Sequence, residues 1–143
     1  MTNSKKVYIK AYTKLNLGDD LFVFMLCYRY KNVQFYIKEL SPYTNVFKTI
    51  PNLKIIENIN DISFDAIVYI GGSIFIENSP SSIFRIHELK EEIIKDNIPT
   101  YIIGANFGPY TSKKYFETVK NELLPYVESI TFRDTYSYNL FKN

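Results

Sequence analysis

Apolar positions along the chain fall into short runs that alternate between strand and helix patterns. Six runs are rich in β-branched and aromatic residues and are bounded by polar residues, glycine or proline, which is typical of strands. The run before the pair of adjacent glycines, Gly71 and Gly72, shows no alternation, which indicates a strand buried on both faces. Strands are predicted at residues 6–12, 33–38, 53–57, 65–70, 99–103 and 128–132.

Longer segments between these strands repeat their apolar positions at helical spacing. The first predicted helix is apolar nearly all round, so we expect it to be well buried. In the second, Ile83, Ile86, Leu89, Ile93 and Ile94 are expected to share the inward face. Helices are predicted at residues 18–30, 81–96, 112–124 and 134–141, with a short helical or irregular segment at 42–50.

Strands that alternate with helices predict an α/β fold of the Rossmann-like kind, a doubly wound parallel sheet with right-handed crossovers. The length of 143 residues suits a single domain over residues 1–143. A net charge of +2 is too small to indicate nucleic-acid binding. Cys27 is the only cysteine and is expected to be buried. The polar start of the chain and the lack of a long apolar run predict a cytoplasmic protein with no integral membrane segment.

In open parallel sheets, ligands bind beyond the carboxyl ends of the strands, and four segments of this chain fall there. The first is residues 15–20, where Asn16 and Gly18 lead into a helix and Asp19 and Asp20 fill its first turn. These acids either complement the helix dipole or accept hydrogen bonds and protons from hydroxyl groups of a ligand. Two carboxylates at this turn disfavour phosphate there.

The second and third segments offer only neutral groups. Gly71, Gly72 and Ser73 follow a buried strand directly, so that backbone N–H groups can approach a ligand closely. The loop at 104–110 holds Asn106 and Gly108 and suits a polar, uncharged ligand such as a sugar. Each segment can equally be a structural turn.

The fourth segment carries the one cation well placed at a strand end. Arg133 follows the last strand, with Asp134 and Ser137 just after it. Arginine is suited to bidentate recognition of carboxylate or phosphate. The alternative is a local pair between Arg133 and Asp134, or a helix cap by Asp134.

Several standard sites are missing from the sequence. No G-x-G-x-x-G or G-x-x-x-x-G-K-[ST] motif occurs, which argues against dinucleotides and against a P-loop. His87 is the only histidine and lies within a predicted helix, where a surface or partly packed role is expected. No metal and no cofactor are therefore expected.

Taken in order, the four segments resemble the N-terminal domain of the polysaccharide pyruvyl transferase family. The resemblance implies one lobe of a GT-B-like two-domain fold and transfer of a pyruvyl group from phosphoenolpyruvate to a sugar, with ketal formation, in bacterial exopolysaccharide biosynthesis. It implies catalytic roles for Asp19, Asp20 and Arg133. The substrate-binding residues that it implies are Asn16, Gly18, Gly71, Gly72, Ser73, Asn106, Gly108, Asp134 and Ser137.

Members of this family are typically about twice as long, and the resemblance places most of their basic donor-binding residues in a C-terminal domain. We therefore expect these 143 residues to be a half enzyme that lacks this domain and is weakly active or inactive alone. The expected partners are a sugar or lipid-linked oligosaccharide acceptor and the C-terminal domain or a second copy.

Two other functions fit the same pattern. One is a fragment of a GT-B glycosyltransferase that uses a nucleotide sugar. The other is a non-catalytic α/β module that binds a sugar or a protein partner. A receiver domain is disfavoured, because it needs an acid where this chain has Gly71 and Gly72.

Overall fold

The computed structural model describes residues 4–14 and 16–142. The chain divides into two compact units, unit 1 (Met1–Gly71) and unit 2 (Gly72–Asn143). Among the described residues, no helix combines the length and the apolar character needed to cross a membrane.

Unit 1 is a parallel sheet in the order β3-β2-β1-β4 with one long helix. Tyr8 in the central strand lies opposite Tyr36 on one side and Ile67 on the other. The bounds are β1 Lys6–Ala11, α1 Leu17–Arg29, β2 Gln34–Lys38, a 3-10 helix Tyr43–Thr49, β3 Leu53–Ile56 and β4 Ala66–Ile70.

One side of α1 forms the core of unit 1 with the sheet. Val23 and Cys27 of the helix are fully buried, as is Phe47 of the 3-10 helix. Burial raises the pKa of the Cys27 thiol to about 12, which makes this cysteine a packing residue, as predicted. The Asn52 amide donates to the carbonyl groups of Cys27, Tyr30 and Val33 and so closes the carboxyl end of the helix.

Over its described residues, unit 2 holds a parallel strand pair and five helical elements. Phe107 lies at the centre of an aromatic core, with its ring 4.8 to 6.2 Å from the rings of Phe75, Tyr110, Tyr115 and Phe141. The bounds are α2 Ser82–Asp96, β5 Thr100–Ala105, α3 Lys113–Glu117, a π-helix Thr118–Leu123, a 3-10 helix Leu124–Tyr126, β6 Ser129–Phe132 and α4 Thr135–Phe141.

The predicted α/β class with parallel strands and a Rossmann-like alternation of helices is confirmed. Predicted bounds agree with the structure to within two residues, and the helical run over 112–124 changes to π hydrogen bonding at Thr118. Pro125 follows that run and cannot donate a backbone hydrogen bond, which helps to end it.

Two expectations about burial are wrong. Helix α1 is not buried on all sides, because a helix against one sheet covers only one of its faces, and Leu17, Leu21 and Met25 remain exposed. In α2, Ile86 and Ile93 are buried as predicted, but Ile94 is exposed because it lies at the margin of the apolar face.

Candidate functional site

Asn16 organises the first candidate segment, which we call the acid turn: residues 16–20 together with Gly71. Its side-chain oxygen accepts from the backbone N–H groups of Gly18 at 3.2 Å and Asp19 at 3.4 Å, which caps α1. Its amide nitrogen donates to Asp19 Oδ2 at 2.6 Å. The cap thus fixes the Asp19 carboxylate at the start of the helix. Leu15, the first residue of the predicted segment, lies outside the described residues.

Gly71 meets the acid turn at the end of β4. Its φ of +133° is a backbone conformation that only glycine adopts without strain. A Cβ at this position would lie 2.8 Å from Asp19 Oδ1. Asp19 is buried, so Gly71 makes room for a carboxylate of the chain itself.

Asp20 differs from Asp19 because one of its oxygens is unsatisfied. Asp20 Oδ1 is buried and has no hydrogen-bond partner in the described part of the chain. Burial, and to a smaller degree the charge of Asp19, raises the pKa of the Asp20 carboxyl above its usual value. A carboxylate with a free lone pair and a raised proton affinity is suited to accept a proton from a hydroxyl group.

Thr13 is a polar residue near this turn that the sequence analysis did not single out. Its side chain is 1 % exposed, and its hydroxyl oxygen has no partner within residues 4–14 and 16–142. The one signal in the sequence is that the apolar alternation of β1 ends there. Unit 1 therefore leaves two polar oxygens, Thr13 Oγ1 and Asp20 Oδ1, buried without hydrogen bonds.

Arg133 is the centre of the second candidate region, the arginine loop, formed by Gly72, Asn106, Arg133, Asp134 and Ser137. A Cβ at Gly72 would overlap the Arg133 guanidinium, so the glycine is needed for this close approach. Arg133 donates from Nη2 to Asn106 Oδ1 at 3.2 Å. Among the described residues, the Arg133 guanidinium forms no salt bridge, although its charge contributes to lowering the pKa of the Asp134 carboxyl.

Asn106 holds the guanidinium from a fixed position. Its amide nitrogen donates to the Gly108 carbonyl at 3.1 Å, and its backbone N–H donates to the Gly72 carbonyl at 2.8 Å. Gly108 has a φ of +111°, which places the loop in a conformation that favours glycine. Ser73, the next residue after Gly72, is exposed and available to a ligand.

Asp134 and Ser137 satisfy one another. Asp134 caps α4 by accepting from Ser137 N at 2.7 Å and from Ser137 Oγ at 2.8 Å, which lowers the pKa of the Asp134 carboxyl. The Ser137 hydroxyl is fully buried and also accepts from Phe107 N at 2.8 Å. Of the two local roles considered for Asp134, the helix cap is the one observed. The pair therefore ties the loop that follows β5 to the start of α4.

Glu77 anchors the same loop and was missed by the sequence analysis. Its carboxylate accepts hydrogen bonds from the backbone N–H and hydroxyl groups of both Thr111 and Ser112, at 2.5 to 3.1 Å. These bonds, with the one from the Ser112 hydroxyl foremost, lower the pKa of Glu77 to about 2. Glu77 lies five residues before α2 and far from Thr111 and Ser112 in sequence, so it has no local capping signature and only the fold reveals this contact.

His87 is partly packed, as predicted. Its Nε2 atom is buried and lies 3.3 Å from Glu122 Oε2 without a hydrogen bond among the described residues. Within the residues that the structure describes, no three His, Cys, Asp or Glu side chains come together as a metal site. The described residues thus offer a half-buried carboxylate with an unsatisfied oxygen in the acid turn of unit 1 and an exposed guanidinium in the arginine loop of unit 2.

Comparison with known proteins agrees with the motifs. The family model described as polysaccharide pyruvyl transferase matches residues 16–143. That match begins at Asn16 and includes the acid turn and the arginine loop. No curated protein and no solved structure matches the chain significantly. The family match covers most of the chain, and the protein therefore belongs to the polysaccharide pyruvyl transferase family.

Proposed function

We propose that the protein transfers a pyruvyl group from phosphoenolpyruvate to hydroxyl groups of a polysaccharide sugar, forming a ketal. The observation that supports this proposal is that one cation and one carboxylate of the chain have hydrogen-bonding capacity left over. Within the residues that the structure describes, Arg133 is an exposed cation without a salt bridge, and Asp20 is a desolvated carboxylate with an unsatisfied oxygen. Membership of the family supports the same reaction class.

Arg133 is the proposed donor-binding residue. Its planar guanidinium can hold the carboxylate or the phosphate of phosphoenolpyruvate through two parallel hydrogen bonds. Asn106 occupies only one of its N–H groups and limits the motion of the side chain. The donor therefore meets a cation that is already oriented.

Asp20 is the proposed acceptor-side base. A sugar hydroxyl becomes a better nucleophile when a carboxylate takes its proton, and the raised pKa of Asp20 brings its proton affinity closer to neutral pH. Asp19 is already hydrogen-bonded to Asn16 and packed on Gly71, so we assign it a positioning role.

The reaction balances without a cofactor. Two sugar hydroxyl oxygens form bonds to C2 of the enolpyruvyl group, and the bond between C2 and the phosphate oxygen breaks. Both hydroxyl groups lose their protons when their oxygens bond to C2. One proton is balanced by the proton that C3 receives to become a methyl group, and the other leaves with phosphate. Asp20 serves the removal of a hydroxyl proton, and Arg133 stabilises negative charge on the donor.

The remaining predicted site residues fall into two groups, those proposed to contact substrate and those that hold the contacting groups in place. Ser73 is exposed and Asn106 is half-buried, and we propose that in unit 2 they contact the donor together with the backbone at Gly72 and Gly108. In unit 1 we propose that the backbone at Gly18 contacts the acceptor. Asn16, Gly71, Asp134 and Ser137 make contacts within the chain that hold these groups in place.

The test is phosphate release from phosphoenolpyruvate by the full product of the reading frame. We expect release only when a sugar acceptor with two neighbouring hydroxyl groups is added, and loss of release in Arg133→Ala. Lys114→Ala is the matched control, because it removes an exposed cation from the same unit at a position with no assigned role. Turnover of a nucleotide sugar in place of phosphoenolpyruvate would contradict the proposal.

A further inference from the structure

Helix α1 has two apolar faces, and only one of them is covered. Val23, Leu26 and Cys27 lie on the buried face. The opposite side carries Leu17, Leu21, Met25 and Tyr28, which are 83, 55, 58 and 61 % exposed. Spacings of four, four and three residues place these four side chains in one line, which we call the exposed α1 face.

This face contains no charged residue from Leu17 to Tyr28, although it is open to solvent. A 13-residue helix is about 20 Å long. The four apolar side chains therefore form a continuous strip along the helix, unlike the single exposed apolar residues that are common on protein surfaces. Contiguous exposed apolar surface of this kind marks a docking site for a partner or a membrane.

Positive charge brackets the exposed α1 face. Lys14 lies before the helix, Arg29 in its last turn and Lys31 just after it, and all three are exposed. Of the two acids in the first turn of the helix, Asp19 is buried and Asp20 is half-buried. Unit 1 carries nine Lys and Arg residues against six Asp and Glu, a net charge of +3, whereas unit 2 has eight against nine.

We infer that the exposed α1 face binds an anionic lipid bilayer. The helix would lie in the plane of the interface, with its leucine and methionine side chains at the boundary of headgroups and acyl chains and its basic ends on anionic headgroups. Its length is too short to cross the bilayer. The basic residues at both ends of the exposed α1 face favour an anionic bilayer over a neutral apolar protein partner.

The same charges disfavour a second copy of the chain. The exposed α1 face is centred between Leu21 and Met25, so a two-fold antiparallel pair of helices would place Lys14 of one copy opposite Lys31 of the other. Like charges across an interface are unfavourable, whereas anionic headgroups neutralise both ends at once.

Membrane contact also narrows the acceptor. Asp20 lies in the first turn of α1, so a bilayer that holds this helix holds the acid turn near the headgroups. This step rests on the proposed function: the acceptor would then be a lipid-linked sugar. Lipid binding itself needs neither phosphoenolpyruvate nor an acceptor, so its failure and a failure of the proposed transfer are distinguishable.

The test is flotation of the purified protein with vesicles of phosphatidylglycerol and phosphatidylcholine, compared with phosphatidylcholine alone. We expect binding to the anionic vesicles that weakens with salt. The double variant Leu21→Gln, Met25→Gln should lower the partition coefficient at least about tenfold, since each change removes exposed apolar surface from the interface. The matched control is Phe84→Gln, Tyr138→Gln, which changes two comparably exposed side chains of unit 2 and should bind like the unaltered protein.

Lys14→Gln with Lys31→Gln tests the electrostatic part and should weaken binding to anionic vesicles alone. Equal binding to neutral vesicles, or unchanged binding in the Leu21 and Met25 double variant, would overturn the inference. So would a lack of binding to either vesicle. If analytical ultracentrifugation shows a dimer, and the Leu21 and Met25 double variant is a monomer, the exposed α1 face binds a second copy of the chain and the bilayer inference is wrong.

Discussion

The acid turn and the arginine loop both lie at the carboxyl ends of parallel strands, but they differ in which charged group lacks a partner. In the acid turn it is a carboxylate, and in the arginine loop it is a guanidinium. In the acid turn, Asp20 keeps a buried oxygen without a partner, and burial raises its pKa. In the arginine loop, Asp134 and Ser137 hydrogen-bond to each other, and within the described residues the Arg133 guanidinium makes a hydrogen bond to Asn106 and no salt bridge.

This difference indicates two kinds of ligand. A desolvated carboxylate favours a group that brings its own proton, such as a hydroxyl. An exposed, oriented guanidinium favours a group that brings negative charge, such as a carboxylate or phosphate. On this basis we propose that the acid turn serves the acceptor and the arginine loop serves the donor.

The largest expected effect comes from Asp20→Asn. Removal of a general base lowers kcat about 10²–10⁴-fold. Because the folded-state pKa of Asp20 is raised, its ionised form destabilises the fold at neutral pH, so the neutral amide should leave Tm unchanged or raise it. Turnover and thermal unfolding of the same sample check this, and Asp61→Asn, an exposed acid of unit 1, is the control.

The pH profile follows from the same shift. Asp20 must be deprotonated to act as a base, so kcat/KM should fall as pH falls through its raised pKa. A Tm that drops clearly in Asp20→Asn would show that the carboxylate supports the fold and does not serve as the base.

Arg133→Ala should reduce kcat/KM about 10²–10³-fold, because a preorganised donor to developing negative charge is lost. Arg133→Lys should recover only part of the activity, since an ammonium group cannot bind an anion through two parallel bonds. Both variants should unfold near the normal temperature, because the side chain is exposed. Steady-state kinetics with phosphoenolpyruvate as the varied substrate makes the comparison.

Gly71→Ala and Gly72→Ala are adjacent changes with different expected effects, because Gly71 contacts the acid turn and Gly72 contacts the arginine loop. Gly71 has positive φ and packs against a buried carboxylate, so alanine there should cost about 1–3 kcal/mol of unfolding free energy. At Gly72 the obstacle is the far end of a flexible arginine, which can move aside. Alanine there should leave stability nearly normal and lower kcat/KM about tenfold through displacement of Arg133.

Chemical denaturation and kinetics of both glycine variants provide the check. Equal losses of stability would mean that Arg133 is held as rigidly as Asp19, and would remove the distinction between a supporting contact and a movable binding group.

Glu77→Gln should have the smallest effect. The pKa of Glu77 is depressed from 4.5 to about 2, so its carboxylate stabilises the fold fully above pH 4.5 and loses that contribution as pH falls toward 2. The variant should therefore lower Tm modestly at neutral pH, and the difference from the unaltered protein should shrink in acid. Thermal unfolding between pH 2 and 7 measures this. A difference that is constant over this range would contradict the assignment.

The sequence predicted the fold well because the pattern of apolar runs and glycine breaks is strong. Asn16 and Asp134 were also recognised at helix starts, where a side chain acts on its own backbone. Glu77 and the partnership of Ser137 with Phe107 were missed because these contacts join segments 30 or more residues apart, which local patterns do not encode.

The exposed side of α1 was missed for a different reason. An apolar residue such as Leu21 is predicted to be buried whichever way its side chain points. When both faces of a helix are apolar, the sequence does not show which face packs on the sheet. The prediction that the chain is one lobe of a larger enzyme stays a prediction.

The most direct test of the account is the affinity for phosphoenolpyruvate, measured by calorimetry in the unaltered protein, in Arg133→Ala and in Asp20→Asn. Assignment of the arginine loop to the donor and of the acid turn to the acceptor predicts that Arg133→Ala loses binding while Asp20→Asn retains it. Retained binding in Arg133→Ala, or an equal loss in both variants, would contradict the central claim.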